Sequence, residues 1–154
     1  MNNDKKSGIT LMILVVTLSI IIILLGASIY TSNRLIDRAD IADFTTIMSE
    51  IETLAHAYLV TNGKLPVSSN ATLTYNQILS NMDSEKSVFF IQQIESNEDT
   101  KSDFYYVDLS AIGISKVDFD FDGRVVINSE GTKAYYLPGM YIDGKWYFTN
   151  YRYD

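Results

Sequence analysis

Residues 9–30 read ITLMILVVTLSIIIILLGASIY, 22 residues without one charge. As a helix rising about 1.5 Å per residue it would span about 33 Å, against a bilayer core of about 30 Å. Lys5 and Lys6 precede it, and the next charge is Arg34. Positive flanks stay cytoplasmic, so this pattern predicts a single-pass membrane protein with its C-terminal domain on the extracytoplasmic side. A secretory signal peptide is a competing reading, with Gly26-Ala27-Ser28 imitating a cleavage site, but such signals have apolar runs of only roughly 7–15 residues. A plain uncleaved anchor is another.

The remaining residues are polar, acidic and rich in tyrosine. Of 154 residues 47% are hydrophobic and 20% charged, an average that hides this uneven spread. The pattern argues against a purely soluble globule, a polytopic membrane protein and a disordered chain. Cysteine is absent, which excludes disulfide staples, thiolate metal sites and cysteine nucleophiles. The formal net charge is −7, with +1 on residues 1–8 and −8 on the rest. Such a surface repels phosphates, so no nucleic-acid partner is expected.

Past the apolar run, helical periodicity continues. Phe44, Ile47, Met48, Ile51, Leu54, Ala55 and Tyr58 are spaced by three or four residues, or adjacent, and make one apolar stripe. Asp37, Asp40, Asp43, Glu50 and Glu52 read as mostly the opposite face. No Pro or Gly interrupts residues 27–62, and Asn62-Gly63 with Pro66 beyond signals a helix end. Residues 67–100 are less regular, with short helices expected over 75–82 and 85–95. Ile78, Leu79, Phe89, Phe90, Ile91 and Ile94 are their buried candidates, and residues 96–102 read as a polar loop.

From Phe104 the pattern changes to strands. Residues 104–107 are β-rich, Gly113 marks a turn, and 117–121 alternate strictly before a hairpin signal at Asp122-Gly123. Return strands follow over 124–128 and 133–137. Asp143-Gly144 marks a further hairpin into 145–149. The predicted fold is α+β: a long N-terminal helix, transmembrane in its first half and amphipathic in its second, packed on a C-terminal antiparallel β-meander. The stripe of Phe44 to Tyr58 would cover the one face that this sheet must bury. The divisions expected are a leader (1–8), a membrane or filament-core helix (9–30), its amphipathic continuation (31–62), a connecting region with short helices (63–103) and the sheet (104–154).

Two motifs carry a family resemblance. Lys5-Lys6-Ser7-Gly8 followed by Ile9-Thr10-Leu11 and the aliphatic run resembles the leader of type IV pilins and pseudopilins. Leu54-Ala55-x-x-Tyr58 with Asn62-Gly63-Lys64-Leu65-Pro66 resembles the helix end of pseudopilins, at the expected distance from the leader. Tyr105-Tyr106-x-Asp108-Leu109 and Gly139-x-x-Ile142-Asp143-Gly144-Lys145 are similar to stretches of a Gram-positive branch. The resemblance implies that a prepilin peptidase cuts between Gly8 and Ile9, leaving Ile9 as a methylated terminus. It implies self-association into a helical filament on the cell surface, driven by an assembly ATPase and a platform protein. Most members carry Glu at the fifth mature position, where this chain has Ile13. An uncleaved, membrane-anchored extracytoplasmic binding or sensor domain is the alternative reading.

Other candidates are few. Asp118-x-Asp120-x-Asp122-Gly123 begins like a calcium loop, but Ser129 stands where the bidentate Glu is needed, and Glu130 is one residue late. Asp118, Asp120 and Asp122 read as the solvated face of a hairpin bracketed by Lys116 and Arg124, with calcium the alternative; no other cofactor is expected. His56 is the only histidine and lies off the stripe, without the context of a Ser-His-Asp triad. The chain reads as a non-enzyme. Asn70-Ala71-Thr72 matches a glycosylation sequon, read here only as an exposed loop. Eight of eleven tyrosines follow Phe104, which reads as sheet packing rather than an adhesive surface.

Overall fold

In the computed structural model, backbone is described for residues 3–114 and 124–153, and side-chain surroundings for 12–24, 37–114 and 124–153. The chain divides into two units, Met1–Ala39 and Asp40–Asp154. Helix α1 runs Asn3–Asn62. It ends as the sequence predicts, with Gly63 in the left-handed region at φ +68° and its N–H on the Leu59 carbonyl at 2.8 Å.

The membrane expectation is overturned: among the described residues no helix is long and apolar enough to cross a membrane. The exposed apolar side chains described in α1 run from Met12 to Leu24. The expected transmembrane first half, and the single-pass placement built on it, are therefore both corrected.

The second unit is α+β with antiparallel strands. After α1 come β1 (Val67–Thr74), α2 (Tyr75–Ser80), α3 (Ser84–Ser96) and β2 (Asp103–Val107). Then follow β3 (Val125–Asn128), β4 (Ala134–Tyr136), β5 (Met140–Ile142) and β6 (Lys145–Tyr147). Strands β1-β2-β3-β4 form one antiparallel meander, and β5-β6 a separate hairpin. The hairpin turns at Asp143 and Gly144, φ +48° and +76°, as the Asp-Gly signal demands. The alternating segment 117–121 and its turn at Asp122-Gly123 lie outside the described residues.

β1 went unread in the sequence because Ser68, Ser69, Asn70, Ala71 and Thr72 show no apolar alternation. All five are exposed, and the strand irregularity lies between Val67, opposite Val107, and Thr72, opposite Tyr105. The Asn70 sequon thus sits on an edge strand rather than in a free loop. α2 begins at a reciprocal cap: Gln77 N–H donates to Thr74 Oγ1 (3.3 Å) and Thr74 N–H to Gln77 Oε1 (2.8 Å).

The sheet is covered on both faces, not one. Every residue of β3 is buried, and alternation splits them between two cores. Val125 and Ile127 join Val107, Ala134 and the α1 stripe of Phe44, Met48, Ile51 and Ala55. Val126 joins Phe104, Tyr135 and Phe148 under Ile78, Phe90 and Ile94 of α2 and α3. Full burial stabilises by roughly 1.5–3 kcal/mol per large apolar side chain, which makes α3 as much a part of the core as α1. Phe90 meets Phe148 and Tyr135 edge-on at 5.2 and 5.8 Å.

Gly139, which opens one of the family-like stretches, has φ +70°, and a Cβ there would lie 2.7 Å from Phe148 Cε1 and 3.0 Å from Trp146 Cε3. Both rings are packed in the second core. Gly139→Ala is therefore expected to cost about 2–4 kcal/mol from overpacking and left-handed strain. Urea denaturation checks this, and an unchanged midpoint would contradict the packing.

Candidate self-association surface and a buried polar cluster

Among the described residues, the first unit presents an apolar surface. Met12, Ile13, Leu14, Val15, Val16, Leu18, Ile20, Ile21, Ile22, Ile23 and Leu24 are all exposed, from 48% at Val16 to 70% at Met12. These positions go all round the helix rather than along one stripe. The two hydroxyls among them are folded back: Thr17 Oγ1 donates to the Ile13 and Leu14 carbonyls (both 2.9 Å), and Ser19 Oγ to Val15 (2.8 Å). Such back-bonding leaves no unsatisfied hydroxyl proton on the surface. A helix apolar on every side is one that something else must bury. Ile13, where the resembling family carries Glu, is 59% exposed and belongs to the same apolar surface.

Gly8 and Ile9, the expected cleavage pair, lie within the backbone span of α1, but their side chains are outside the described residues. Asp118, Asp120 and Asp122 lie outside the described residues altogether. Among the described residues no group of three or more His, Asp or Glu could hold a metal ion. His56 is exposed, as its position off the stripe predicts. Comparison with protein-family models, curated proteins and solved structures gave no match.

The second unit holds a polar cluster that the sequence reading missed. Glu52 is 9% exposed instead of facing solvent with Asp40, Asp43 and Glu50. Its Oε1 accepts the Ala134 N–H (3.2 Å) and the Thr149 hydroxyl (3.5 Å). Its Oε2 accepts Asn150 Nδ2 (3.0 Å) and Lys133 Nζ (3.4 Å). Asn150 is further bound: Nδ2 donates to Ser49 Oγ (3.1 Å), and Oδ1 accepts Lys133 Nζ (3.3 Å). A carboxylate, an amine and a carboxamide from α1, the start of β4 and the C-terminal segment thus share one site. The clue lay in the periodicity, since Glu52 is four residues after Met48 and next to Ile51, at the rim of the stripe.

Burial pushes the Glu52 carboxyl above the usual glutamate range, against the opposing pull of Lys133 and of the Ala134 and Asn150 hydrogen bonds. The folded protein holds this proton more tightly than the unfolded chain, so the contribution of Glu52 to stability falls as pH rises above the ordinary glutamate pKa. Glu52→Gln is expected to flatten stability against pH between about 4 and 7. Urea midpoints across that range check it, and an unaltered slope would contradict the buried placement.

Two further polar clusters tie Gln93 of α3 to β6 and the C-terminal segment, and Asp99, just beyond α3, to β4. Gln93 Oε1 accepts the Phe148 N–H (2.9 Å), while Nε2 reaches the Trp146 carbonyl (2.7 Å) and Tyr153 Oη (2.6 Å). Asp99, read from sequence as part of a polar loop, is 5% exposed and accepts the Tyr135 hydroxyl at 2.7 Å. In the Tyr105-Tyr106-x-Asp108-Leu109 stretch, Asp108 Oδ1 caps a 3₁₀ turn through Ser110 Oγ (2.5 Å), Ser110 N–H (3.1 Å) and Ala111 N–H (3.2 Å). The Ser110 hydroxyl and these N–H groups hold its carboxyl below the usual range.

Proposed function

We propose that the protein is a structural subunit of a pilus-like or pseudopilus-like filament, which polymerises by burying residues 12–24 against the same helix of other copies. The observation that carries this reading is the all-round apolar surface from Met12 to Leu24, with both hydroxyls turned inward. In water, apolar side chains that are about half exposed associate because burial removes that area from solvent, at roughly 25 cal/mol per Å². Close helix packing then adds dispersion contacts along the seam. The Lys5-Lys6-Ser7-Gly8 leader supports processing by a prepilin peptidase between Gly8 and Ile9. An assembly ATPase and a platform protein are the further partners that the family resemblance suggests. Ile13 leaves assembly without the usual glutamate, so packing rather than an ion pair would set the register.

Sedimentation and negative-stain imaging of the chain starting at Ile9 test the reading. Concentration-dependent filaments are expected, and a monodisperse monomer at high concentration would sink it. Processing has its own check. Co-expressed with a prepilin peptidase, the wild-type chain should begin at Ile9, whereas Gly8→Ala should keep Met1 or Asn2 as its terminus. Cleavage of the variant at the same bond and to the same extent would contradict the assignment.

A further inference from the structure

The cluster around Glu52 has the composition and geometry of a covalent cross-linking site. We propose that Lys133 and Asn150 become joined by an intramolecular isopeptide bond, with Glu52 as the catalytic acid–base. Lys133 Nζ is 3.3 Å from Asn150 Oδ1, so the amine already sits against the carboxamide it would attack. Glu52 Oε2 bridges the two, 3.4 Å from Nζ and 3.0 Å from Nδ2, within reach of the proton to be removed and of the nitrogen that leaves. The side chains are 31% exposed at Lys133 and 11% at Glu52, so the acid–base group is the more sheltered of the two.

The steps balance without any oxidant, metal or co-reactant. Lys133 passes one ammonium proton to Glu52, which gives a neutral amine beside a neutral carboxylic acid. Burial, by favouring the protonated carboxyl, eases this transfer. The Nζ lone pair attacks Asn150 Cγ, the Nζ–Cγ bond forms, and the Cγ=O π pair moves onto Oδ1. As the carbonyl reforms, Glu52 delivers its proton to Nδ2, the Cγ–Nδ2 bond breaks, and ammonia departs. The second proton of Nζ returns to the Glu52 carboxylate and from there to solvent, where ammonia takes it up as ammonium. The product is a secondary amide, and no net charge remains on Lys133.

The surroundings favour this outcome over a simple ion pair. Ala134 N–H holds Oε1 at 3.2 Å, leaving Oε2 for both reacting groups, and the Thr149 hydroxyl reaches either Glu52 Oε1 (3.5 Å) or Asn150 Oδ1 (3.4 Å). Ser49 Oγ holds Nδ2 from the other side and gives its own proton to the Thr45 carbonyl at 2.8 Å, so it acts only as an acceptor for the leaving amide. These positioning contacts hold the reacting groups close together, the arrangement that raises effective molarity. The inference stands apart from the filament reading, because it concerns only the second unit.

Intact mass spectrometry of the folded full chain decides it. The expected mass is one ammonia, about 17 Da, below that of the sequence, with a tryptic species in which the peptide containing Lys133 is linked to that containing Asn150. Lys133→Arg and Glu52→Gln should each restore the full mass, and a chain kept in guanidinium from synthesis should show no loss. A folded wild-type chain at full sequence mass would overturn the proposal. So would a loss that persists in Lys133→Arg, for instance one mapped to a succinimide at Asn62-Gly63.

Discussion

Asp99→Ala is expected to lower the unfolding free energy by about 3–5 kcal/mol, a large share of the stability of a domain this size. The carboxylate accepts three hydrogen bonds: Tyr135 Oη at 2.7 Å, Asn128 Nδ2 at 2.9 Å and Ser102 Oγ at 3.1 Å. Tyr135 is fully buried and Asn128 is 1% exposed, so water cannot replace the lost acceptor at either. Each orphaned buried donor costs about 1–3 kcal/mol, and loss of the carboxylate also frees the 3₁₀ turn of Asp99–Lys101 from the sheet. Asn128 keeps a bond to Thr132 Oγ1 at 3.0 Å, which holds the total below the simple sum. Fluorescence of the single tryptophan, Trp146, during urea unfolding reads the effect. A loss under about 1 kcal/mol would show that Asp99 is not held as described.

Tyr135 of this cluster and Tyr153 of the Gln93 cluster shape the alkaline limb of stability. Burial, and then the hydrogen bond to Asp99, raise Tyr135 above the usual tyrosine range, and burial pushes Tyr153 up to about 12. Both groups are neutral when protonated, and the folded state retains those protons after the unfolded chain has begun to lose them. Their contribution is therefore complete below about pH 10 and declines as pH rises through 10 towards 12. Tyr153→Phe should soften that decline, and a midpoint that falls just as steeply in the variant would contradict it.

Local signals were readable where one residue type enforces one geometry. Gly63 ends α1 and Asp143-Gly144 turns the β5-β6 hairpin because few other residues adopt positive φ without strain. The stripe of Phe44, Met48, Ile51 and Ala55 was readable for a similar reason, since spacing alone assigns a helical face. The second core was not, because it depends on α3 crossing a sheet whose strands are far away in sequence. Val125-Val126-Ile127 carries no periodic clue that alternate residues face different helices. Charge was the least readable property. Glu52 and Asp99 look like surface acids until partners many residues away, Ala134 and Lys133 for one and Tyr135 and Asn128 for the other, are brought to them. The apolar run of residues 9–30 was visible at once, but composition could not say what covers it, and among the described residues no helix is long and apolar enough to cross a membrane.

What covers it is tested by charge placed on opposed faces of the same helix. Leu14→Asp and Val16→Asp lie two positions apart, about 200° around a helix of 3.6 residues per turn. Leu14 is 55% exposed and Val16 48%, so neither belongs to the core of the single chain. If copies surround the helix, each variant buries an unpaired carboxylate at an interface. At about 3 kcal/mol per subunit, that raises the concentration needed for assembly by more than about 100-fold. Leu14→Val, which keeps the surface apolar, should assemble near the wild-type threshold. A two-helix seam would behave differently, since one Asp would disrupt it and the other, on the far side, would be nearly silent. Sedimentation of all four chains across a dilution series separates these outcomes. Equal loss at both positions supports a helix packed on every side, whereas wild-type assembly by both Asp variants would mean that residues 12–24 do not hold the filament together.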